Sequence, residues 1–268
     1  MKYSFGYGSN PLWYLIGIAY QHLLYFHTSS HIIMTPRLLV MIVGDSMPSQ
    51  YIPHIHTIKS HMDALSGTFI VDYACISSYN DFDIYDSILS FKYKVTNNKK
   101  QLEKVCDFLS SCPEKYDWYI KIRPEVLLLE LPDILSLSTD SIHARVRGYI
   151  GSKKIFFGSS VGGNGGWSNL NNDCIYSENE THICLDDHIY IFNKYVVDNG
   201  AFAILTPEIN KFLPWNYDGR QDESIHNSVW NHRNIKKNPI RIHLIFKKIN
   251  SNGHTVFSGE SGHINIQP

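Results

Sequence analysis

The chain is poor in cysteine, in net charge and in long apolar runs, and each shortage removes a class of protein. Its five cysteines, at 75, 106, 112, 174 and 184, are odd in number and have no Cys-x-x-Cys spacing, so neither a full disulfide framework nor a zinc ribbon is encoded. This usage fits a reducing, cytoplasmic compartment; one bridge between Cys174 and Cys184, around the sequon Asn179-Glu180-Thr181, stays open. A formal net charge of −1 over 268 residues supplies no general positive field, which sets nucleic acid aside as a partner. Residues 11–26 (PLWYLIGIAYQHLLYF) fall short of the roughly 20 apolar residues that cross a bilayer, and Gln21 and His22 interrupt them, so no stable membrane span is expected. Leu12, Leu15, Ile16, Ala19 and Leu23 make one face of a docked helix in an N-terminal segment, 1–35, with a signal or anchor as the alternative. No repeat, charge block or low-complexity linker divides 36–268, which is expected to be one domain.

What is there is an ordinary core former, 43% apolar, with 17 Tyr and 5 Trp whose rigid rings suit sugars and bases as well as cores. The run 37–43 (RLLVMIV) reads as a buried parallel strand turning at Gly44. Ile55, Ile58, His61, Met62 and Leu65 follow at helical spacing, closed by Gly67, and 68–76 reads as a second strand. A helix over 99–109 and a strand over 118–122 continue the alternation, which predicts a doubly wound, mainly parallel sheet with ligands at strand C-termini. Beyond Pro124 the spacing predicts a strand over 141–150 and a long loop over 151–181. An apolar pair over 187–197 and 200–205, a helix over 222–232 and a strand over 240–247 follow. The expected class is therefore α/β, with an irregular C-terminal half.

The segment 116–125 (YDWYIKIRPE) delivers a fixed cation and a carboxylate at the end of a buried strand. Arg123 can fork onto phosphate oxygens and Glu125 can hold a divalent cation or a sugar hydroxyl; a surface ion pair explains both residues equally well. This block resembles a motif of small GT-A-like glycosyltransferases, bacterial and viral, with the chlorovirus-type enzymes that build capsid glycans as the nearest group. In them a first strand ends near a Gly-polar pair, as at Val43-Gly44-Asp45-Ser46, and a later segment resembles Leu185-Asp186-Asp187-His188-Ile189. The resemblance covers about 37–250, and departs from the pattern in having Glu125 where Asp is usual and no standard Asp-x-Asp metal motif following a strand.

What the resemblance implies is a Rossmann-type, GT-A-like sheet over 36–268 that binds a nucleotide-sugar donor, UDP-linked and carrying a pentose such as xylose. The acceptor is an oligosaccharide or glycoprotein glycan, and manganese or magnesium takes part through Glu125. Donor contacts fall to Gly44, Asp45, Ser46, Asp72, Asp81, Arg123 and Arg220, and acceptor contacts to Trp167, His188, Trp215 and Glu223. A carboxylate near the anomeric carbon either deprotonates the incoming hydroxyl or steadies positive charge; Asp187, ahead of Asp186, is expected to be the base in an inverting displacement. Bland alternatives stand beside these: a helix N-cap for the Asp pair, and a dipole-matching first helical turn for Asp222 and Glu223. The loop at Gly162, Gly163, Gly165 and Gly166 reads as a lid. Two other classes compete. One is an ester hydrolase using Ser46, with Gly162-Gly163-Asn164 as oxyanion block, against which the only Asp-x-x-His, Asp140 to His143, precedes that block and lies far from the C-terminus; the other is a glycan-binding module without catalysis.

Overall fold

The computed structural model describes residues 34–150, 154–157, 166–169, 182–204, 222–249 and 255–260; the expected helix in 11–26 lies outside them. From Pro36 onward the chain belongs to one compact unit. Strand β1 (Arg37–Val43) is the predicted apolar run, buried at every position after the first. It leads into helix α1 (Ile52–Ala64), with Pro53 in its first turn where the missing N–H costs nothing, and then into β2 (Ile70–Ser77). Helix α2 (Asp83–Leu89), strand β3 (Tyr93–Thr96), helix α3 (Gln101–Ser111) and strand β4 (Trp118–Ile122) complete the alternating half.

After β4 come β5 (Val126–Glu130), β6 (Ser141–Ala144), β7 (Val146–Ile150), β8 (Lys154–Phe157), β9 (Gly166–Asn169) and β10 (His182–Leu185). Then follow β11 (Ile189–Asn193), α4 (Lys194–Asp198), α5 (Asp222–His232), β12 (Lys236–Pro239), β13 (His243–Ile249) and β14 (Thr255–Glu260). The central sheet has the order β12-β6-β11-β4-β1-β2-β3. Every pairing in it is parallel except those of β11, which runs antiparallel to both β4 and β6. This is the expected open α/β sheet, mainly parallel and flanked by helices.

Strand alternation sends side chains to two cores. Leu38, Val40, Ile42, Ile120 and Ile122 pack with Ile55, Ile58 and Met62 of α1 and Tyr85 of α2. Leu39, Met41, Val43, Tyr190 and Phe192 pack on the other face with Leu102, Val105 and Phe108 of α3 and Val229 and Trp230 of α5. One direction reversal decides where the chemistry falls. The C-terminal ends of β1, β2, β4 and β6 share an edge, and because β11 is antiparallel its N-terminal end joins them, with Ile189 opposite Ile122.

Three expectations need correction. The single strand over 141–150 is two strands in different sheets, since the chain leaves the central sheet at Arg145 and β7 pairs with β8 and β10. The loop expected over 151–181 contains β8 and β9, which pair antiparallel; its glycines 162, 163 and 165, and with them most of the proposed lid, lie outside the described residues. The apolar segment from 187 is one strand followed by a short helix capped by Asn193, whose side chain accepts from the Tyr195 N–H.

Gly44 is required by packing at the shared edge, because a Cβ there would come within 2.9 Å of Pro124 Cγ. A Cβ on Gly67 would meet nothing within 4 Å. Gly44→Ala is therefore expected to lower unfolding free energy in urea by about 1–3 kcal/mol, and Gly67→Ala by under about 0.5 kcal/mol.

Candidate functional site

At the shared edge the turn Arg123-Pro124-Glu125 is fixed from two sides. Gly44 abuts the proline ring, and the buried His54 of α1 lies with its Nδ1 3.3 Å from the Pro124 carbonyl oxygen. The Arg123 N–H donates to the His188 carbonyl at 3.0 Å, which brings the turn before β11 alongside. Arg123 then reaches both acids: Nη1 to Asp187 Oδ2 at 3.1 Å, and Nη2 to Glu125 Oε1 at 3.1 Å. Its side chain keeps 28% exposure, whereas Asp187 keeps 1%, so the guanidinium is the member of the pair that solvent reaches.

Behind it sits a second pairing. Arg145, just past β6, binds Asp186 through Nη2, and His188 Nδ1 lies 2.5 Å from Asp186 Oδ1. The Asp186 N–H donates to the Arg145 carbonyl at 2.8 Å. Beneath Asp187, Lys121 is fully buried; its Nζ donates to the Asp187 carbonyl and, at 2.9 Å, to Gln101 Oε1. His226 of α5 is buried in the same region, with neither ring nitrogen hydrogen-bonded.

These groups set one another's charge. Burial opposes ionisation of Glu125, but Arg123 outweighs it and holds the carboxyl below the ordinary range. For Asp187 burial is likewise overcome, by Arg123, Lys121 and His188, and its carboxyl is held well below the usual value. Burial pulls Lys121 down to about 8 against the pull of Asp187, and pushes His226 down to about 3.

Asp186, Asp187 and His188 each offer one ligand atom, all within 4.8 Å of one another. Two carboxylates and an imidazole suit manganese or another transition metal better than magnesium, which prefers oxygen ligands alone, and Asp187 Oδ1, buried without a hydrogen-bond partner, is an open acceptor in that set, so the residues fit a divalent cation. Glu125 is not part of this cluster: Arg123 engages both of its oxygens, at 3.1 and 3.4 Å.

The loop after β1 lies on the same edge. Asp45 is exposed and Ser46 half-buried. Lys104 of α3, fully buried, donates to the Gly44 carbonyl at 2.8 Å, to Asp45 Oδ1 at 2.9 Å and to Ser78 Oγ at 2.8 Å. Asp81 braces the loop, accepting from the Met47 N–H at 2.6 Å and Ser77 Oγ at 2.8 Å, so its oxygens serve the fold. The structure thus brings together Gly44, Asp45, Ser46, Asp81, Arg123, Glu125, Asp186, Asp187 and His188.

Asp72 is elsewhere. It lies near the start of β2, opposite Leu39, at the far end of the strands, where Arg37 at 2.8 Å, Lys92 at 2.9 Å and Tyr116 at 2.8 Å surround it. A carboxylate so occupied, at the wrong end of a parallel strand, braces the fold. Arg220 and Trp215 lie outside the described residues, as do the side chains of Trp167 and Glu223. Asp140 lies ahead of β6, bound to Ser138, Ser141 and Lys236, and His143 meets the Ser138 carbonyl and Asn238, so neither is placed to activate Ser46.

Sequence reasoning passed over Lys121, Gln101, Lys104 and Arg145. A lysine amid WYIKI and a lysine on the buried face of α3 were the available signals.

The acid dependence follows from the lowered carboxyls. A folded pKa below the unfolded one gives stabilisation that is full above the unfolded value and is lost as pH falls from there through the folded pKa, so the contribution of Glu125 and Asp187 should decline progressively below about pH 5. Arg123→Met should cost about 1–3 kcal/mol at pH 7 and flatten the decline between pH 5 and pH 3, measured by urea unfolding across that range.

Comparison with known proteins returns no matching family model and no matching curated protein sequence. Among solved structures, the galactosyltransferase LgtC in complex with donor and acceptor sugar analogs is similar at TM-score 0.42 and 8% identity, covering 72% of this chain and 70% of that one. The 4-diphosphocytidyl-2C-methyl-D-erythritol synthase of Anaerococcus prevotii gives 0.44 and 10%, covering 85% and 93%. A nucleoside-diphosphate-sugar pyrophosphorylase from Vibrio cholerae gives 0.42 and 13%, covering 75% and 90%. At these values the likeness is one of overall shape.

Proposed function

We propose that the chain is a GT-A-like, nucleotide-sugar-dependent glycosyltransferase. It takes a sugar from a UDP-linked donor to a hydroxyl of an oligosaccharide or glycoprotein glycan. The observation that carries this is the convergence, on one sheet edge, of the Gly44-Asp45-Ser46 loop, the Arg123-Glu125 turn and the Asp186-Asp187-His188 turn. Ligands of open α/β sheets bind outside strand C-termini, and a solvent-reached guanidinium flanked by the buried Asp187 and the half-buried Glu125 suits a charged donor carrying hydroxyls.

The loop after β1 would take the nucleoside, with Asp45 exposed for polar contact and Lys104 holding its backbone. Arg123 would exchange its bonds to Glu125 for the donor phosphates. Asp186, Asp187 and His188 are the residues that would hold manganese, which when bound supplies neutralising charge for a diphosphate leaving group. Steadying positive charge fits Asp187 better than the role of base expected from the sequence. A carboxylate held ionised this strongly is a weak base, and general bases work best with a pKa near the working pH. Direct displacement with inversion needs no second nucleophile, and a pentose such as xylose is the donor sugar we assign from the sequence resemblance.

Asp187→Asn should cut transfer by more than about 100-fold while leaving UDP affinity measured without manganese within about threefold, and Arg123→Ala should weaken UDP binding by about 10- to 100-fold. Both are read by calorimetric titration of UDP and by donor turnover with and without manganese. Turnover retained in the Asp187 variant, or covalent labelling of Ser46 by a fluorophosphonate, would overturn the assignment.

A further inference from the structure

Lys121 occupies the middle of β4, paired in register with Met41 of β1 and Tyr190 of β11. Its neighbours Ile120 and Ile122 face the α1 core, so its own side chain enters the other core, beneath α3 and α5. There it is 0% exposed, with Nζ 5.1 Å from the centroid of the Tyr190 ring. Among the described residues no carboxylate lies in ion-pair contact with it. Burying such an ammonium is costly, and a methionine would fill a similar volume without that cost.

The bonds it makes join the two halves of the candidate site. Gln101, at the start of α3, donates from Nε2 to the Val43 carbonyl at 3.4 Å and accepts from Lys121 Nζ at 2.9 Å; Lys121 in turn donates to the Asp187 carbonyl. The path Val43, Gln101, Lys121, Asp187 thus runs from the end of β1 to the start of β11, underneath β4. Each residue of the turn has its own backbone anchor: the Asp186 N–H on Arg145, the Asp187 carbonyl on Lys121, the His188 carbonyl on Arg123. Among the described residues, loss of Lys121 would leave the middle carbonyl without a hydrogen bond and the Asp187 carboxylate aimed by Arg123 alone.

We propose that Lys121 is a positioning residue which, together with Gln101, locks the Asp187 backbone against the end of β1 and so sets where the Asp187 carboxylate meets Arg123. Its consequence for catalysis rests on the transferase function proposed above; its consequence for the turn does not. The test therefore has two readouts. Amide hydrogen exchange is followed at Asp186, His188 and Arg123 in wild type, Lys121→Met, Gln101→Leu and Gln101→Glu. In the Met and Leu variants these amides should exchange at least about 10-fold faster, with β1 and β2 protection unchanged, while Gln101→Glu, which keeps an acceptor for Nζ but loses the donor to the Val43 carbonyl, should fall between wild type and Gln101→Leu. Donor turnover in Lys121→Met should lose about 30-fold or more in kcat with KM within about threefold. Unchanged exchange in both Lys121→Met and Gln101→Leu would overturn the proposal, as would faster exchange with kcat intact in a chain that turns donor over. Faster exchange in a protein that turns over no nucleotide sugar would uphold the positioning and overturn the transferase.

Discussion

The ion pair between Arg123 and Asp187 is the contact on which the site depends, and it exists because β11 runs against its neighbours. Were β11 parallel to β4, the turn 186–188 would open onto the far edge, where Asp72 and Asp140 are tied up with lysines and arginine. Reversal instead sets two buried acids beside an arginine that ends a parallel strand. The close approach of Gly44 to Pro124 then draws the β1 loop to the same place.

Electrostatically the edge is a balance of opposite charges with few contacts to spare. Arg123 answers Glu125 and Asp187, Arg145 answers Asp186, and Lys121 supplies a further buried positive charge from below. Such pairs in low dielectric are costly to assemble and costlier to break singly, so their value lies in fixed orientation more than in stability. Asp187 Oδ1 and both nitrogens of His226 stay without hydrogen bonds in this surrounding, as do Nε and Nη1 of Arg145. Buried polar atoms left in that state are expected where a site has its partners supplied from outside.

Much of the framework was legible because it obeys simple periodicities. The runs RLLVMIV and WYIKI, and the helix 222–232, are found within the predicted bounds, since a strand buried on both faces reads as a continuous apolar run. Strand β3 (YKVT) and the seven-residue α2 escaped notice because they are short and half exposed, and β5 because it follows directly on the Arg-Pro-Glu turn. Arg145 was absorbed into an expected strand, although a sheet change there leaves it pointing at Asp186. Spacing shows which residues share a strand, but pairing of Asp186 with Arg145, 41 positions apart, is a product of topology alone.

The central claim is that one edge of the sheet receives a nucleotide diphosphate. Backbone amide shifts followed by NMR as UDP is added test it most directly. Saturable changes confined to residues 44–46, Arg123, Glu125 and 186–188 are the predicted result. Changes centred instead on the opposite edge, around Asp72 and Asp140, or no saturable change at millimolar UDP, would contradict it.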